Sequence, residues 1–96
     1  MRSPEAQQAV NEQTKNLCLY HYASCWFCGQ VRSVIGKLSL DIELRDVLTE
    51  PQNRQTLIEQ GGSSTVPCLR IENPDGTEQW MYESSDICEY LIGRFT

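Results

Sequence analysis

The spacing of apolar residues in the first half of the chain predicts a strand, a helix and a second strand. Residues 17–22 form a short apolar and aromatic run, which is typical of a buried strand. A helix of about three turns, beginning at the cysteines in 25–28, is predicted next, because apolar residues then recur at the spacing of one helical face. These residues are Val31, Val34, Ile35 and Leu38. Leu40, Ile42 and Leu44 then alternate with charged residues, which predicts an edge-side strand with one face on the core.

The second half of the chain predicts a helix followed by a β-hairpin. Residues 49–52, Thr-Glu-Pro-Gln, have the form of a capping box with proline in the first turn, and the helix that they open ends at the glycines in 61–62. Residues 66–71 and 77–82 are the two hairpin strands, and the Asn-Pro-Asp-Gly sequence at 73–76 is a strong turn signal between them.

A helix is predicted at each end of the chain. At the carboxyl end, residues 84–86 supply N-cap candidates, and an apolar stripe follows at helical spacing. The stripe consists of Cys88, Leu91, Ile92 and Phe95. At the amino end, residues 1–16 form a polar extension or weak helix, with Ser3 and Pro4 suited to its start. Residues 17–96 are therefore expected to form one domain of order β-α-β-α-β-β-α.

Composition narrows the class of protein. The 96 residues carry 8 Lys and Arg against 13 Asp and Glu, for a formal net charge of −5. Nucleic acid is excluded as a partner, because its binding depends on clustered cations. The apolar runs are far shorter than the roughly 20 residues of a membrane span, and the N-terminus lacks the apolar core of a secretory signal. We therefore expect a cytoplasmic protein, and a monomer.

The two cysteines at 25 and 28 carry the candidate chemistry. Cys25-X-X-Cys28 lies where a strand becomes a helix, so the first thiol meets the free N–H groups and the positive dipole end of that helix. Such an environment lowers a thiol pKa from about 8.5 to roughly 3.5–7.5. Cys25 is thus predicted to be the attacking sulfur. Cys28, one turn further and more buried, is predicted to resolve the resulting disulfide.

The other cysteines and the single histidine leave competing interpretations. A single CxxC can also be interpreted as half of a zinc site. Tetrahedral zinc needs two more ligands, and the chain has no second CxxC and no HxxxH, so we expect no metal. Cys18, Cys68 and Cys88 are expected to be buried as small apolar side chains. His21 is expected to be solvated or hydrogen-bonded for structure, and the aromatic residues of the hairpin are expected to pack.

Three motifs in order make residues 17–95 resemble a glutaredoxin, a member of the thioredoxin-fold superfamily. The Cys-Trp-Phe-Cys sequence at 25–28 corresponds to the glutaredoxin active-site motif Cys-Pro-Tyr/Phe-Cys. The Thr-Val-Pro segment of glutaredoxins is present unchanged at 65–67. The Tyr-Glu-Ser-Ser-Asp-Ile segment at 82–87 is a looser match, and its Glu-Ser pair is similar to the glutathione-binding segment of glutathione transferase N-terminal domains. At most, the chain would be the first half of such a transferase.

The resemblance implies a fold and a binding site. The fold is a thioredoxin-like α/β fold, a four-stranded mixed sheet of order 2-1-3-4 with strand 3 antiparallel and helices on both faces, plus the N-terminal helix. Pro67 would be a cis proline facing the dithiol, and the backbone of Val66 would pair with the cysteinyl part of glutathione. Glutathione itself is implied as co-substrate. The implied glutathione-binding residues are Tyr22, Phe27, Thr65, Val66, Pro67, Glu83, Ser84 and Ser85.

The function that follows is glutathione-dependent thiol–disulfide oxidoreduction, acting on glutathionylated or disulfide-containing proteins. Two departures from the glutaredoxin pattern keep alternatives open: Trp26 replaces proline between the cysteines, and no lysine precedes Cys25 to meet the glycine carboxylate of glutathione. The first alternative is a [2Fe–2S] carrier with Cys25 from two protomers and two glutathiones as ligands. The second is a thioredoxin-like dithiol module that works without glutathione.

Overall fold

The computed structural model describes residues 3–95. The first two residues of the predicted N-terminal extension and residue 96 of the predicted domain lie outside this range. The helices are α1 (Pro4–Thr14), α2 (Trp26–Lys37), α3 (Pro51–Thr56), which continues as a π-helical turn (Leu57–Gly61), and α4 (Ser84–Phe95). The strands are β1 (Leu17–His21), β2 (Glu43–Asp46), β3 (Cys68–Glu72) and β4 (Glu78–Met81).

The four strands form one mixed sheet of order β2-β1-β3-β4. β1 pairs with β2 in parallel and with β3 antiparallel, and β3 pairs antiparallel with β4. The predicted thioredoxin-like order, with an antiparallel third strand, is confirmed. Because β1 is central and all five of its residues are buried, its C-terminal end at His21 delivers the next residues to a fixed point at the edge of the sheet.

The core consists of two apolar clusters separated by β1. Successive side chains of a strand point to opposite faces, so Leu17 and Leu19 belong to one cluster and Cys18 and Tyr20 to the other. The main cluster joins β1 and β3 to α2 and α4, and each Leu buried there contributes roughly 1.5–3 kcal/mol. The second cluster seats the π-helical turn through Leu57, which is fully buried.

Helix α1 packs onto the main cluster. Ser3 caps it by accepting a hydrogen bond from the Ala6 N–H at 3.1 Å, as its sequence predicts. Val10 packs against the main cluster, and the Gln7 side-chain amide donates to the Ser39 carbonyl at 2.9 Å. The N-terminal helix is therefore held both to the main cluster and to the segment that follows α2.

The predicted capping box at 49–52 is wrong. The N-cap residue of α3 is Glu50, and its side chain makes no capping hydrogen bond. Thr49 instead donates its backbone N–H to Asp46 Oδ1 at 2.9 Å, and Leu48 donates to the same oxygen at 2.8 Å. Asp46 thus closes the turn after β2, which leaves Thr49 outside the helix.

Two apolar residues lie on a different face from the one predicted. Leu44 is 45% exposed because β2 is an edge strand, and Leu40 and Ile42, just before the strand, occupy the core instead. On α4 the buried stripe is Ile87, Leu91 and Phe95, whereas Ile92 is 46% exposed. Leu91 and Phe95 are thus buried as predicted, while Ile87 takes the place in the core that was predicted for Ile92.

The ends of β3 and α4 also differ from the prediction. β3 begins at Cys68, two residues later than expected, since Pro67 has no N–H to donate to a strand partner. The residues predicted as N-cap candidates, 84–86, lie inside the first turn of α4. The first helical hydrogen bond runs instead from the Ile87 N–H to the Glu83 carbonyl, at 2.9 Å. In the part of the chain that the model describes, no helix is long and apolar enough to cross a membrane.

Candidate active site

The candidate site is the junction between β1 and α2. Cys25 is the N-cap residue of α2, with φ −78° and ψ 120°. Its N–H donates to the Tyr22 carbonyl at 3.2 Å, and its own carbonyl accepts from the Gly29 N–H at 2.9 Å. A tight turn therefore connects the buried strand to the helix and places the Cys25 side chain over the first helical turn.

Cys25 has the environment of a stabilised thiolate. Its Sγ accepts a hydrogen bond from the Cys28 N–H at 3.3 Å, as N-cap side chains do. Burial opposes ionisation, but the hydrogen bonds from the Cys28 thiol and N–H, the Tyr22 hydroxyl and the Phe27 N–H lower the Cys25 pKa below the usual thiol value. The positive end of the α2 dipole acts in the same direction.

Cys28 has the opposite character. It is fully buried, and burial together with the hydrogen bond to the neighbouring Cys25 sulfur raises its pKa to about 12. The two thiols therefore differ strongly in acidity although they are three residues apart. Such a pair holds one nucleophilic sulfur and one protonated sulfur, which is the asymmetry that attack followed by resolution requires.

All five cysteines are free thiols, and Cys25 alone among them has a lowered pKa. Burial raises the pKa of Cys18 and of Cys68 to about 12, and raises that of Cys88 as well. Cys18 and Cys68 are buried, whereas Cys88 is half-buried. Within residues 3–95, no group of three or more His, Cys, Asp or Glu side chains is arranged to hold a metal ion.

Tyr22 is a neighbour of Cys25 as well as an implied glutathione contact. The nearby Cys25 charge raises the Tyr22 pKa, and the interaction with the Tyr22 hydroxyl lowers the Cys25 pKa. Tyr22 also packs, with Val66, against the second apolar cluster. The strand end and the loop before β3 thus meet on one surface.

The loop before β3 contains the cis peptide bond that the resemblance implied, between Val66 and Pro67. Thr65 is exposed in the same loop, and its N–H donates to Ser63 Oγ at 3.2 Å. The Ser63 carbonyl in turn accepts a hydrogen bond from the Tyr82 hydroxyl at 3.4 Å. The loop is therefore tied to the end of β4.

The remaining implied glutathione residues lie at the start of α4 and beside Cys25. Glu83 is exposed immediately before the helix, and Ser84 is its first residue. Ser85 lines the same groove as Cys25. Phe27 is 55% exposed and stacks edge-on against Trp26, with ring centroids 5.1 Å apart. That these residues bind glutathione stays a prediction.

The groove beside Cys25 runs between α2 and α4 and has a volume of about 840 Å³. Cys88 and Val34 contribute to its floor, and Arg32 and Lys37 contribute positive charge. Sequence reasoning missed Arg32, which lies on the same helical face as Cys28 at i, i+4. That spacing was the available signal.

Known structures share this fold. A mutant of a thioredoxin-like protein superposes with a TM-score of 0.61 at 20% identity, over 79% of this chain and 97% of that one. A maleylacetoacetate isomerase from Anaeromyxobacter dehalogenans, with dicarboxyethyl glutathione and citrate in its active site, is 30% identical with a TM-score of 0.64. A trimeric glutathione transferase from Leishmania is 29% identical with a TM-score of 0.68.

The last two similarities each cover 83% of this chain, which spans 37% of the isomerase and 18% of the Leishmania protein. Comparison with curated protein sequences gives no significant match. The family model for the N-terminal domain of glutathione S-transferase matches residues 19–96. This result is consistent with the thioredoxin-fold superfamily and points to the transferases within it, rather than to glutaredoxins in particular. The chain belongs to the glutathione S-transferase N-terminal domain family.

Proposed function

We propose that this protein is a glutathione-dependent thiol–disulfide oxidoreductase in which Cys25 is the nucleophile and Cys28 the resolving thiol. The observation that carries the proposal is the acidity difference between the two. The Cys25 pKa is lowered at the N-terminus of α2, while the Cys28 pKa is raised to about 12 by burial. A transferase domain that only activates the thiol of glutathione would not need a second, buried cysteine at this position.

The proposed reaction begins at the Cys25 thiolate. It attacks the glutathione sulfur of the mixed disulfide between glutathione and a protein, the S–S bond breaks, and the released protein thiolate takes up a proton. The Cys25–glutathione disulfide is then resolved by the Cys28 thiol, which loses its proton as the Cys25–Cys28 disulfide forms and glutathione leaves. Two further glutathione molecules reduce that disulfide and are themselves oxidised.

The proposed glutathione site extends from Cys25 to the loop before β3 and the start of α4. The backbone of Val66 would align with the cysteinyl part of the peptide, with Thr65 and Pro67 on either side. Glu83, Ser84 and Ser85 would hold the γ-glutamyl end at the N-terminus of α4, a 12-residue helix. Support comes from the fact that helix N-termini favour carboxylates and from the related isomerase, which has been crystallised with glutathione in its active site.

The test is turnover of a glutathione mixed disulfide by the reduced protein, with glutathione and glutathione reductase regenerating the thiols. Cys25→Ser is expected to abolish turnover, because it removes the nucleophile. Cys28→Ser is expected to retain deglutathionylation by a monothiol mechanism, because a second glutathione can resolve the Cys25–glutathione disulfide in place of Cys28. Cys88→Ser is the matched control, since it removes a half-buried thiol from the same groove. The opposite ranking of Cys25 and Cys28 would reject these roles.

A second candidate function is glutathione transfer or isomerisation by a longer protein that contains this domain. It is favoured by the family and by the 30% identity to an isomerase with a glutathione derivative in its active site. Conjugation of glutathione to an electrophile that persists in the Cys28→Ser variant, without any disulfide reductase activity in the unmodified protein, would support this function over the first.

Two further alternatives are distinguished by simple measurements. A single chain does not supply a metal site within residues 3–95, so a [2Fe–2S] cluster would need Cys25 from two protomers. Visible absorption after anaerobic purification would support that cluster. Reduction of protein disulfides without glutathione would support a thioredoxin-like module. We further propose a reducing, cytoplasmic location, which is supported by the odd number of cysteines, five, since they cannot all pair within the chain.

A further inference from the structure

Arg32 connects α2 to the turn that leads into Cys25. Its guanidinium is hydrogen-bonded to three acceptors: Nη1 is 2.9 Å from His21 Nδ1 and donates to the Tyr22 carbonyl at 3.3 Å, and Nη2 donates to the Ala23 carbonyl at 3.1 Å. The acceptors are consecutive residues at the end of β1 and the start of the turn. One side chain thus holds the backbone on the upstream side of the nucleophile.

The same guanidinium lies against the first turns of α2. A Cβ placed on Gly29 would be 3.5 Å from Arg32 Nη2, so the side chain extends back along the helix towards the cysteines. Arg32 also lines the groove that contains Cys25. It therefore bridges the two segments, strand end and helix start, between which the Cys25 sulfur lies.

Tyr22 is the residue through which this bridge reaches the sulfur. Its carbonyl accepts both the Arg32 guanidinium and the Cys25 N–H, at 3.3 and 3.2 Å. Its hydroxyl is among the groups that lower the Cys25 pKa. A shift of the Tyr22 backbone would loosen the turn that places Cys25 at the N-cap and would also displace the Tyr22 side chain.

We propose that Arg32 is a positioning residue that clamps the turn before Cys25, so that the Tyr22 hydroxyl and the N–H groups of α2 converge on the Cys25 sulfur. The inference rests on the proposed role of Cys25 as nucleophile. Arg is suited to the task because its planar guanidinium presents several donors in a fixed geometry, whereas Lys is a flexible point charge.

His21 gives an independent view of the clamp. It is buried, and its imidazole faces Arg32 from α2 and Asp46 from β2. Burial and the Arg32 charge lower the His21 pKa, and Asp46 opposes them. Because Arg32 can only donate, Nδ1 must be the acceptor, and the proton of the neutral ring is on Nε2. The chain has one histidine, so its ring signals are unambiguous.

The test measures ionisation of Cys25 by its rate of alkylation with iodoacetamide across pH, read at the Cys25 peptide by mass spectrometry. Arg32→Gln and Arg32→Lys are compared with the unmodified protein, and Lys37→Gln removes a cation from the same helix as the matched control. A rise of one unit in the Cys25 pKa lowers the thiolate fraction, and the rate below that pKa, by about tenfold. We expect a loss of this order in both Arg32 variants and less than about twofold in Lys37→Gln.

Each other outcome overturns the proposal. If Arg32→Lys alkylates Cys25 as fast as the unmodified protein at each pH, charge alone suffices. If the alkylation rate of Arg32→Gln has an unchanged pH dependence, the clamp is not needed. If a variant does not fold, ring ¹⁵N shifts of His21 in the unmodified protein decide, because a proton on Nδ1 would exclude the Arg32 hydrogen bond. Alkylation requires no glutathione. If the proposed oxidoreductase function is wrong, Cys25 is still alkylated rapidly but the protein does not turn over the glutathione mixed disulfide, so the two failures can be told apart.

Discussion

Replacing Gly61 with alanine tests how the π-helical turn is seated beside the candidate site. A Cβ on Gly61 would overlap the Tyr82 hydroxyl and would lie 2.9 and 3.2 Å from Cε3 and Cδ2 of Trp80. Trp80 has little room to move, since its ring stacks on the fully buried Tyr20 with centroids 5.6 Å apart. The backbone of the turn therefore packs directly on two aromatic rings, which only glycine permits without rearrangement.

The magnitude follows from two opposing terms. Overpacking of this kind costs about 1–3 kcal/mol, and alanine recovers about 0.5–1 kcal/mol of helical backbone entropy. The midpoints of these two ranges differ by a net loss of about 1 kcal/mol, which corresponds to a fall in Tm of roughly 4–8 °C for a domain of this size. Tyr82 also holds the loop before β3 through the Ser63 carbonyl, so the KM for glutathione is expected to rise as well.

Thermal unfolding followed by circular dichroism measures this loss, with Gly93→Ala as the matched control. Gly93 lies in α4 and an added Cβ would meet nothing within 4 Å. That substitution is expected to raise the Tm by a few degrees through helix propensity alone, about 0.5–1 kcal/mol. A Gly61→Ala protein that is as stable as the unmodified one, or more so, would refute the packing argument.

Two other predictions concern the buried thiols and the exposed aromatic residues. The pKa values of Cys18, Cys28 and Cys68 are raised to about 12 in the folded state, so the stabilisation from keeping them protonated is complete below the unfolded thiol pKa and is lost as pH rises from about 8.5 to about 12. Urea unfolding of the reduced protein at several pH values should show this fall with a shallower slope in Cys68→Ala, and equal slopes would contradict it. Phe27→Ala is expected to raise the KM for glutathione several-fold, whereas Trp26→Ala is not. Both substitutions should change the free energy of unfolding by less than about 0.5 kcal/mol, because both rings are more than half exposed. Steady-state kinetics measures the two KM values, and equal values would remove Phe27 from the proposed site.

Local sequence signals predicted the elements that meet at the site. The apolar spacing after the cysteines corresponds to α2, and Cys25 is its N-cap residue. The turn signal at 73–76 corresponds to a tight hairpin turn, in which Gly76 has φ 89° and donates its N–H to the Asn73 carbonyl at 3.0 Å. These features depend on residues within a few positions of one another, so the order of residues alone carries the information.

Several side-chain contacts and exposures were not predicted. The predicted capping box is wrong because Asp46, only three residues earlier, accepts the Thr49 N–H. The exposure of Leu44 and Ile92 depends on the edge position of β2 and on the rotation of α4 against the sheet. A residue pattern specifies which positions are apolar, but it does not specify how much of each apolar face a neighbouring element will cover.

By itself the sequence determined the strand and helix order, the dithiol at a helix start, and the glycines where the backbone must turn. Tertiary structure decided the electrostatics of that dithiol. Burial of Cys28 and the hydrogen bonds from Arg32 to the end of β1 both arise from packing between separate elements. A thiol pKa depends on the donors, charges and solvent around the sulfur, and these are set only when β1 and α2 are packed together.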